Sequence, residues 1–493
     1  MSFFIKKNIY PLFLIGIFTF YVFFPTNNST LDAYAYAGYT KYNYFLFTPH
    51  HLLHNPLIFF LNFLLQSVGI KIEILVLSKI VNSIFALLNL IVLKKILTEL
   101  KIPKEETLIY LLILGFSFSL WRYGTENETY IIPNTFSLLG SLFFLKFIHT
   151  NDNRKLFFSG FFTMISCLFH QLYIFWWLGL LTGSFLKKKL VKTFFLYATP
   201  FILVPIVYGL VLVFYEKQSF NFQNIFHFVL HDFIGGSVLS NFGWKGLFFQ
   251  FLNSFRTFFQ VHPNIYFLIK RNSVFCMPIF FVFFLCYQFF KFFFQRILLK
   301  KKEGKASLFI KTHVCIGLAI YLFAYCNYGN IEFMVALPYI IVLYVSSSYK
   351  VNQTFLRNLA CVLCIWNFSY GIFPNYYYSY YNDHFLVQYM IDNPDNIYII
   401  KNASAKNNYF YKTGLDNPKN IILYNKVDPK EIENLLKQNK CIYTDLIDKP
   451  VILNKENIIN TESVSKILKN SPKTEILSYQ GFYGKSFLYK VCH

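Results

Sequence analysis

Long apolar runs recur through the first three quarters of the chain, and clusters of lysine and arginine fall between alternate pairs of them. A run of about 20 apolar residues crosses a bilayer as a helix, because the hydrocarbon offers no water to satisfy an irregular backbone. The runs lie near 8–24, 73–93, 107–121, 131–149, 157–170, 172–186, 193–214, 274–295, 307–326, 331–348 and 355–373. Lys6 and Lys7 precede the first. Lys94, Lys95, Lys101 and Lys104 follow the second, and Arg154 and Lys155 follow the fourth. Lys187, Lys188, Lys189 and Lys192 follow the sixth. Arg296, Lys300, Lys301, Lys302 and Lys305 follow the eighth, and Lys350 and Arg357 bracket the last turn. The opposite short loops are nearly free of Lys and Arg. The positive-inside rule makes the basic side cytoplasmic. The stretch 157–186 is read as a hairpin because one long helix would invert the charge pattern after it. Ala33-Tyr34-Ala35 resembles a cleavage site, but the first apolar run is long and many follow, so it is read as a retained anchor.

The predicted fold class is therefore a polytopic α-helical membrane protein of about eleven spans. It is a multi-pass protein of the cell or inner membrane, with a cytoplasmic N-terminus and a large first extracytoplasmic loop. Only 14% of residues are charged, against about 25% in a soluble domain. The net charge of +22 comes mostly from residues flanking apolar runs, so it is not the footprint of a nucleic-acid partner.

The chain changes character near Phe373. Beyond it, β-like runs appear at 396–400, 420–424, 441–447 and 486–491, with a helical stretch at 428–439 that Asp428 can cap. The predicted domains are a transmembrane part, 1–373, with extracytoplasmic loops at 25–72 and 215–273, and a small extracytoplasmic α/β domain, 374–493. The loop 215–273 carries Gly235, Gly236, Trp244, Lys245, Arg256 and His262 and is too apolar for a solvated linker, so helices lying along the membrane are expected. Most of the nine cysteines sit in apolar runs as small hydrophobic residues. Cys441 and Cys492 lie in the external domain, where an oxidising compartment allows a disulfide. Their spacing alone does not establish one.

Polar groups at membrane depth mark the places where chemistry is expected. They gather on the outer face: Asp32, His50, His51 and His54 in the first loop; Arg122, Glu126 and Glu128 between the third and fourth spans; His170 and Gln171 at the hairpin tip; Arg256, Lys270 and Arg271 in the long loop; and Glu332 before the tenth span. Scattered polar residues would fall on both faces. A one-sided set fits an interfacial site that takes a substrate from the membrane. Each residue also has a plainer reading. Asp32 suits the cap of a helix beginning at Ala33. The loop holding Glu126 and Glu128 is short and exposed, so one of the two is expected to be merely solvated. Arg256, Lys270 and Arg271 suit lipid headgroups. His50 and His54 have i, i+4 spacing but no Glu in the HExxH order, so no metal site is assigned and no cofactor is indicated. Tyr34, Tyr36, Tyr39, Tyr42 and Tyr44 read as an interfacial aromatic belt.

An Asp shortly after the first span, then His54-Asn55-Pro56-Leu57 and the apolar stretch IFFLNFLLQSVGI, resembles the GT-C membrane glycosyltransferases, such as protein O-mannosyltransferases and the lipid A aminoarabinose transferase. A Glu/Arg loop around Glu126–Tyr130 and a C-terminal external domain extend the likeness over the whole layout. The first loop departs in lacking an Asp-Glu pair, and Asn-Pro stands where Pro-Pro often follows the His. The resemblance implies a sugar carried on a polyprenyl phosphate, a glycan, lipid or protein acceptor entering from outside, and single displacement with inversion. It implies Asp32 as the general base. His54, Arg122, Glu126, Glu128, His170, Gln171, Arg256, Lys270, Arg271 and Glu332 are then substrate-binding candidates. A leaving phosphate needs positive charge rather than a proton donor.

Two other classes meet the same composition. A polysaccharide polymerase or ligase would depend on arginines in the large external loop and not on Asp32. A transporter would place its charges near the bilayer midplane, on broken helices.

Overall fold

A computed structural model describes residues 2–234, 243–260, 264–295, 299–301, 308–327, 329–380, 383–447 and 455–492. Gly235, Gly236, His262, Arg296, Lys302 and Lys305 lie outside them. The chain divides into two compact units: Met1–Thr26 with Leu46–Pro374, and Asn27–Phe45 with Asn375–His493.

In the first unit the helices follow the apolar runs: α1 (Ser2–Phe23), then, after α2 (Leu31–Tyr42) of the second unit, α3 (His54–Ser67), α4 (Ile74–Glu99), α5 (Lys104–Gly115), α6 (Phe118–Gly124), α7 (Ile131–Thr150), α8 (Asn153–Phe169) and α9 (Ile174–Lys188). Next come α10 (Val191–Tyr215), α11 (Phe222–Val229), α12 (Trp244–Arg256), α13 (Asn264–Arg271), α14 (Ser273–Phe294), α15 (Leu308–Tyr325), α16 (Ile331–Ser348) and α17 (Gln353–Tyr377). Seven of these are long and apolar enough to cross a membrane, or eight if α5 and α6, bent by 60°, form one broken span. The expected eleven is higher because Tyr10–Phe23, α8 and α9 are shorter helices. The stretch 157–186 is two helices. His170 is extended and a 3₁₀ turn follows it, which breaks the run between α8 and α9.

Helix α7 is the centre of the bundle, 72% buried along its apolar window, while α14 is 11% buried and faces outward along a row of phenylalanines. Small residues let the helices approach closely. A Cβ on Gly160 of α8 would overlap the Tyr197 carbonyl oxygen of α10, and one on Gly140 of α7 would overlap Thr163 of α8. Several polar side chains within the bundle pair with one another. Trp176 Nε1 donates to Ser141 Oγ at 2.9 Å, and Ser141 meets His313 Nε2 at 2.8 Å. His313 Nδ1 lies 2.7 Å from the Phe309 carbonyl, which can only accept. Nδ1 therefore carries a proton, and Nε2 pairs with the Ser141 hydroxyl.

The basic loops meet at one end of this unit. Tyr10 donates to the Lys104 carbonyl at 2.6 Å, and the Lys94 ammonium lies 4.2 Å from the Tyr10 ring centre. His149 pairs with Glu99 at 2.9 Å, Lys188 donates to the Asn151 carbonyl at 3.3 Å, and Arg357 faces Glu105 at 3.9 Å. Strands β1 (Leu299–Lys301) and β2 (Tyr349–Val351) pair antiparallel, with Lys300 opposite Lys350. Loops expected on one face on charge grounds are thus physically joined.

The second unit is an α/β sandwich. Its sheet has the order β4-β3-β5-β7-β6, formed by β3 (Ile397–Ile400), β4 (Ile421–Leu423), β5 (Ile442–Thr444), β6 (Lys473–Gly481) and β7 (Gly484–Val491). Strands β4, β3 and β5 are parallel, and β7 and β6 are antiparallel to their neighbours. Alternation along β3 sends Tyr398 and Ile400 to one core, beneath α18 (Asp383–Asp392) and α19 (Ala403–Thr413). Ile399 goes to the other core, beneath α20 (Pro429–Lys437) and α21 (Lys455–Asn470). Asp428 caps α20, accepting from the Lys430 N–H. A disulfide joins Cys441 and Cys492 beside the Ile442–Val491 pair.

Helix α2 belongs to this unit and packs along α19. Its small residues Ala33, Ala37 and Gly38 are buried. Lys41 Nζ and the Tyr42 hydroxyl donate to the Tyr411 carbonyl at 3.1 and 3.2 Å, and Tyr42 also reaches the Lys412 carbonyl at 3.0 Å, so α2 caps the C-terminal end of α19. Tyr34 and Tyr36 are buried here, which makes them core residues rather than an interfacial belt.

Candidate active site

Helix α4 is apolar enough to span a membrane, yet it carries Lys79, Asn82, Ser83 and Asn89. The spacings i, i+3, i+4 and i+10 put all four on one face. Each is buried, and each addresses the segment that links α6 to α7. Ser83 Oγ donates to the Gly124 carbonyl at 2.8 Å. Asn82 Nδ2 donates to the Glu126 and Glu128 carbonyls at 2.6 and 2.7 Å. Asn89 Nδ2 donates to the Ile131 carbonyl at 3.2 Å. Polar groups in a spanning helix are costly unless paired inside the protein, and here the pairing partner is a backbone loop that has no ladder of its own.

That loop is not exposed. Glu126 is 0% and Glu128 2% accessible, so neither is the solvated residue expected from a short connection. Glu126 Oε2 takes a hydrogen bond from Arg122 Nη1 at 3.1 Å, and its Oε1 lies 3.8 Å from Lys79 Nζ and accepts the Asn127 N–H at 2.9 Å. Arg122 Nη1 also donates to Thr26 Oγ1 at 2.8 Å, and Lys79 donates to the Thr26 carbonyl. A carboxylate stripped of water needs this kind of matched set.

The next residue along, Tyr123, is buried and lies within electrostatic reach of Glu332, Glu128, Arg122 and Arg256. Four of the expected site residues therefore act electrostatically on one phenol. Arg256 ends α12, whose amphipathicity is inverted. Gln250 and Asn253 face inward, with Gln250 donating to the Tyr321 carbonyl and Asn253 to the Gly329 carbonyl, both at 2.7 Å. Trp244, Phe248, Phe251 and Phe255 are exposed. Asn253 Oδ1 in turn accepts from Arg256 Nη1 at 3.0 Å. Burial pulls the Arg256 guanidinium below its usual value, and Tyr123 acts in the opposite direction. Glu332 opens α16, where its N–H donates to Asn330 Oδ1 at 3.1 Å.

Histidines flank the same loop. His54 Nε2 meets Asn127 Oδ1 at 3.2 Å, and His51 Nε2 meets Thr129 Oγ1 at 3.4 Å. The His51 ring stacks edge-on against His50 and His170, at 4.0 and 4.3 Å between centres, and His170 continues to Tyr130 at 4.8 Å. Burial lowers the His51 pKa well below 6.5, with His50, His170 and His54 adding to it. Burial takes His54 down to about 4, against its bond to Asn127. Both rings are neutral at pH 7. Among the described residues no group of three or more His, Cys, Asp or Glu is arranged to hold a metal ion.

Gln171 is a structural clamp. Its amide donates to the Pro49 and Val229 carbonyls at 3.2 and 2.9 Å and to the Tyr208 hydroxyl at 3.1 Å. Lys270 and Arg271 are exposed at the end of α13. Asp32 lies in the second unit, in the first turn of α2. The cap there is Thr30, whose hydroxyl accepts the Ala33 N–H at 3.0 Å, and not Asp32 itself. An acid in that turn is favoured by the helix dipole. Lys79, Asn82, Tyr123, Asn127 and Asn253 were not singled out from the sequence. The i, i+3, i+4 polar stripe inside an apolar run was the available signal for the first two.

No protein-family profile matches the chain, and no curated protein matches it. Two solved structures of an Archaeoglobus fulgidus oligosaccharyltransferase are similar to it. One is the archaeal oligosaccharyltransferase AglB in complex with an inhibitory peptide and a dolichol-phosphate, at 10% identity and a TM-score of 0.47, covering 98% of this chain and 74% of that one. The other is a complex with Zn and sulfate, at 11% identity and a TM-score of 0.43, covering 88% and 68%.

Proposed function

We propose that the chain is a membrane glycosyltransferase of the GT-C type. It moves a sugar from a polyprenyl-phosphate donor to a hydroxyl on a glycan, lipid or protein acceptor at the extracytoplasmic face. The observation that carries the reading is that Tyr123, a buried phenol, lies within electrostatic reach of two cations, Arg122 and Arg256, and two carboxylates, Glu128 and Glu332. Such a set pairs cations for a departing phosphate with carboxylates for sugar hydroxyls.

In this reaction the acceptor oxygen attacks C1 of the sugar as the bond from C1 to the phosphate oxygen breaks. The bonding electrons leave with the polyprenyl phosphate, and C1 inverts. Arg256 and Arg122 stabilise the phosphate, and Glu128 and Glu332 hold the sugar. Asp32 takes the acceptor proton, an assignment that rests on its place after the first apolar run. His54 and His170 shape the wall of the site, while Lys270 and Arg271 meet lipid headgroups. No resident metal is proposed, because Lys79 and Arg122 already neutralise Glu126. The N-terminus is assigned to the cytoplasm and the second unit to the extracytoplasmic side, where the Cys441–Cys492 disulfide would persist.

The test is transfer by the full-length protein in proteoliposomes supplied with membrane lipid extract carrying polyprenyl-linked sugars. A product whose anomeric configuration is opposite to that of the donor supports the reading. Retained configuration, or no transfer from any such extract, overturns it.

A further inference from the structure

The Asn82 side chain is fully buried in α4, and both of its donated hydrogen bonds go to one short segment. They hold the Glu126 and Glu128 carbonyls at 2.6 and 2.7 Å, on either side of Asn127. Three consecutive side chains then point to three different partners. Glu126 turns to Lys79 and Arg122, Asn127 turns to His54, and Glu128 comes within reach of Tyr123. A loop clamped at two carbonyls two residues apart has little freedom to rotate the peptide between them. A hydrophobic residue would pack as well in a spanning helix and would remove the donor that both carbonyls share.

We infer that Asn82 is a positioning residue: its amide sets the Glu126–Glu128 backbone, and through it the direction of the Glu128 carboxylate toward the reacting sugar. The role rests on the transferase reading above. It differs from a purely structural role in what it controls. Donor affinity comes from the cations and the lipid chain, whereas alignment of the sugar depends on the loop. A displaced carboxylate therefore lowers turnover more than binding.

The experiment uses full-length protein in proteoliposomes. Undecaprenyl phosphate is the binding probe, and transfer is measured from lipid extract. Asn82→Leu removes both donors. It is expected to lower the transfer rate about tenfold to a hundredfold per folded molecule while undecaprenyl phosphate binds within about twofold of the wild type. Asn82→Gln keeps the amide on a longer arm and is expected to recover part of the rate. Ser141→Ala, which leaves Trp176 and His313 unsatisfied away from this loop, is the folding control. It is expected to lower the unfolding temperature and leave the rate per folded molecule unchanged. If Asn82→Leu loses rate only as far as Ser141→Ala does, or loses donor binding in the same proportion as rate, the positioning role is overturned. An inactive wild type overturns the transferase reading instead, and the two failures are told apart by the wild-type lane.

Discussion

Arg122 and Glu126 form an ion pair whose carboxylate is wholly buried: Arg122 Nη1 lies 3.1 Å from Oε2, and Lys79 stands 3.8 Å from the other oxygen. Breaking such a pair leaves cations without a counter-charge, at a cost of about 3 kcal/mol. Glu126→Gln is therefore expected to lower the thermal unfolding midpoint of the detergent-solubilised protein clearly. Adding Lys79→Met should restore part of the loss, because one stranded charge is removed with it. An unchanged midpoint in the single variant would mean the carboxylate is not charged in the fold.

The histidines beside this loop should make the first unit acid-sensitive. Burial depresses His51 well below 6.5 and His54 to about 4. The unfolded chain thus binds protons that the folded chain refuses. Stability is complete above about pH 6.5 and falls as pH drops from there toward about 4, where the folded rings begin to charge. For His54 the depression corresponds to about 3 kcal/mol across that window. Unfolding midpoints measured at intervals from pH 7.5 to pH 4.5 should fall, and His54→Gln should flatten the slope. A slope unaffected by that substitution would assign the acid sensitivity elsewhere.

How much of this was legible beforehand depended on range. The spanning helices announced themselves locally, since hydropathy and flanking lysines act within one segment. The 60° break between α5 and α6 did not, because the apolar run continues through it. Strand β6 was missed because KTEILSYQG is largely exposed and alternates weakly. That Asn27–Phe45 joins the C-terminal unit is a matter of Lys41 and Tyr42 capping a helix some 370 residues away, and no local pattern encodes it. At the site, Arg122, Glu128, Arg256 and Glu332 stood out as charges in apolar surroundings. Lys79 and Asn82 did not, because they were counted as part of a span.

Close helix packing offers a second test of the bundle. At Gly160 a methyl group would overlap the Tyr197 carbonyl oxygen, which is backbone and cannot rotate away. Gly160→Ala must separate α8 from α10. It should destabilise the protein by about 1–3 kcal/mol, as overpacking does in other cores. Gly16→Ala, where nothing lies nearby, should have no such effect. Unfolding midpoints of the two variants make the comparison. Equal values would contradict the α8–α10 contact.

The Cys441–Cys492 bridge closes a loop with a sequence separation of 51. Chain entropy puts its contribution at about 4 kcal/mol. Cys441→Ser, or reduction, should lower the resistance of the second unit to protease while the first unit is unaffected. Fragments appearing from 375–493 at a denaturant concentration where the oxidised protein is intact would be the signature. Identical digestion with and without reductant would indicate that the sheet does not depend on the bridge.

The place of Asp32 in α2 and the role proposed for it in transfer are separable, and one substitution distinguishes them. As an acid in the first turn of α2 it interacts favourably with the helix dipole, worth about 0.3–1 kcal/mol, and the Thr30 cap remains when it is neutralised. Asp32→Asn should therefore leave the unfolding of the second unit nearly unchanged. In its proposed role as proton acceptor for the incoming hydroxyl, the same carboxylate has no substitute in an amide, and transfer should fall by at least about a hundredfold. Asp32→Glu keeps a base on a longer arm and should retain part of the rate. Transfer at the wild-type rate by Asp32→Asn, with matched protein levels, would confine Asp32 to the helix and remove it from the chemistry.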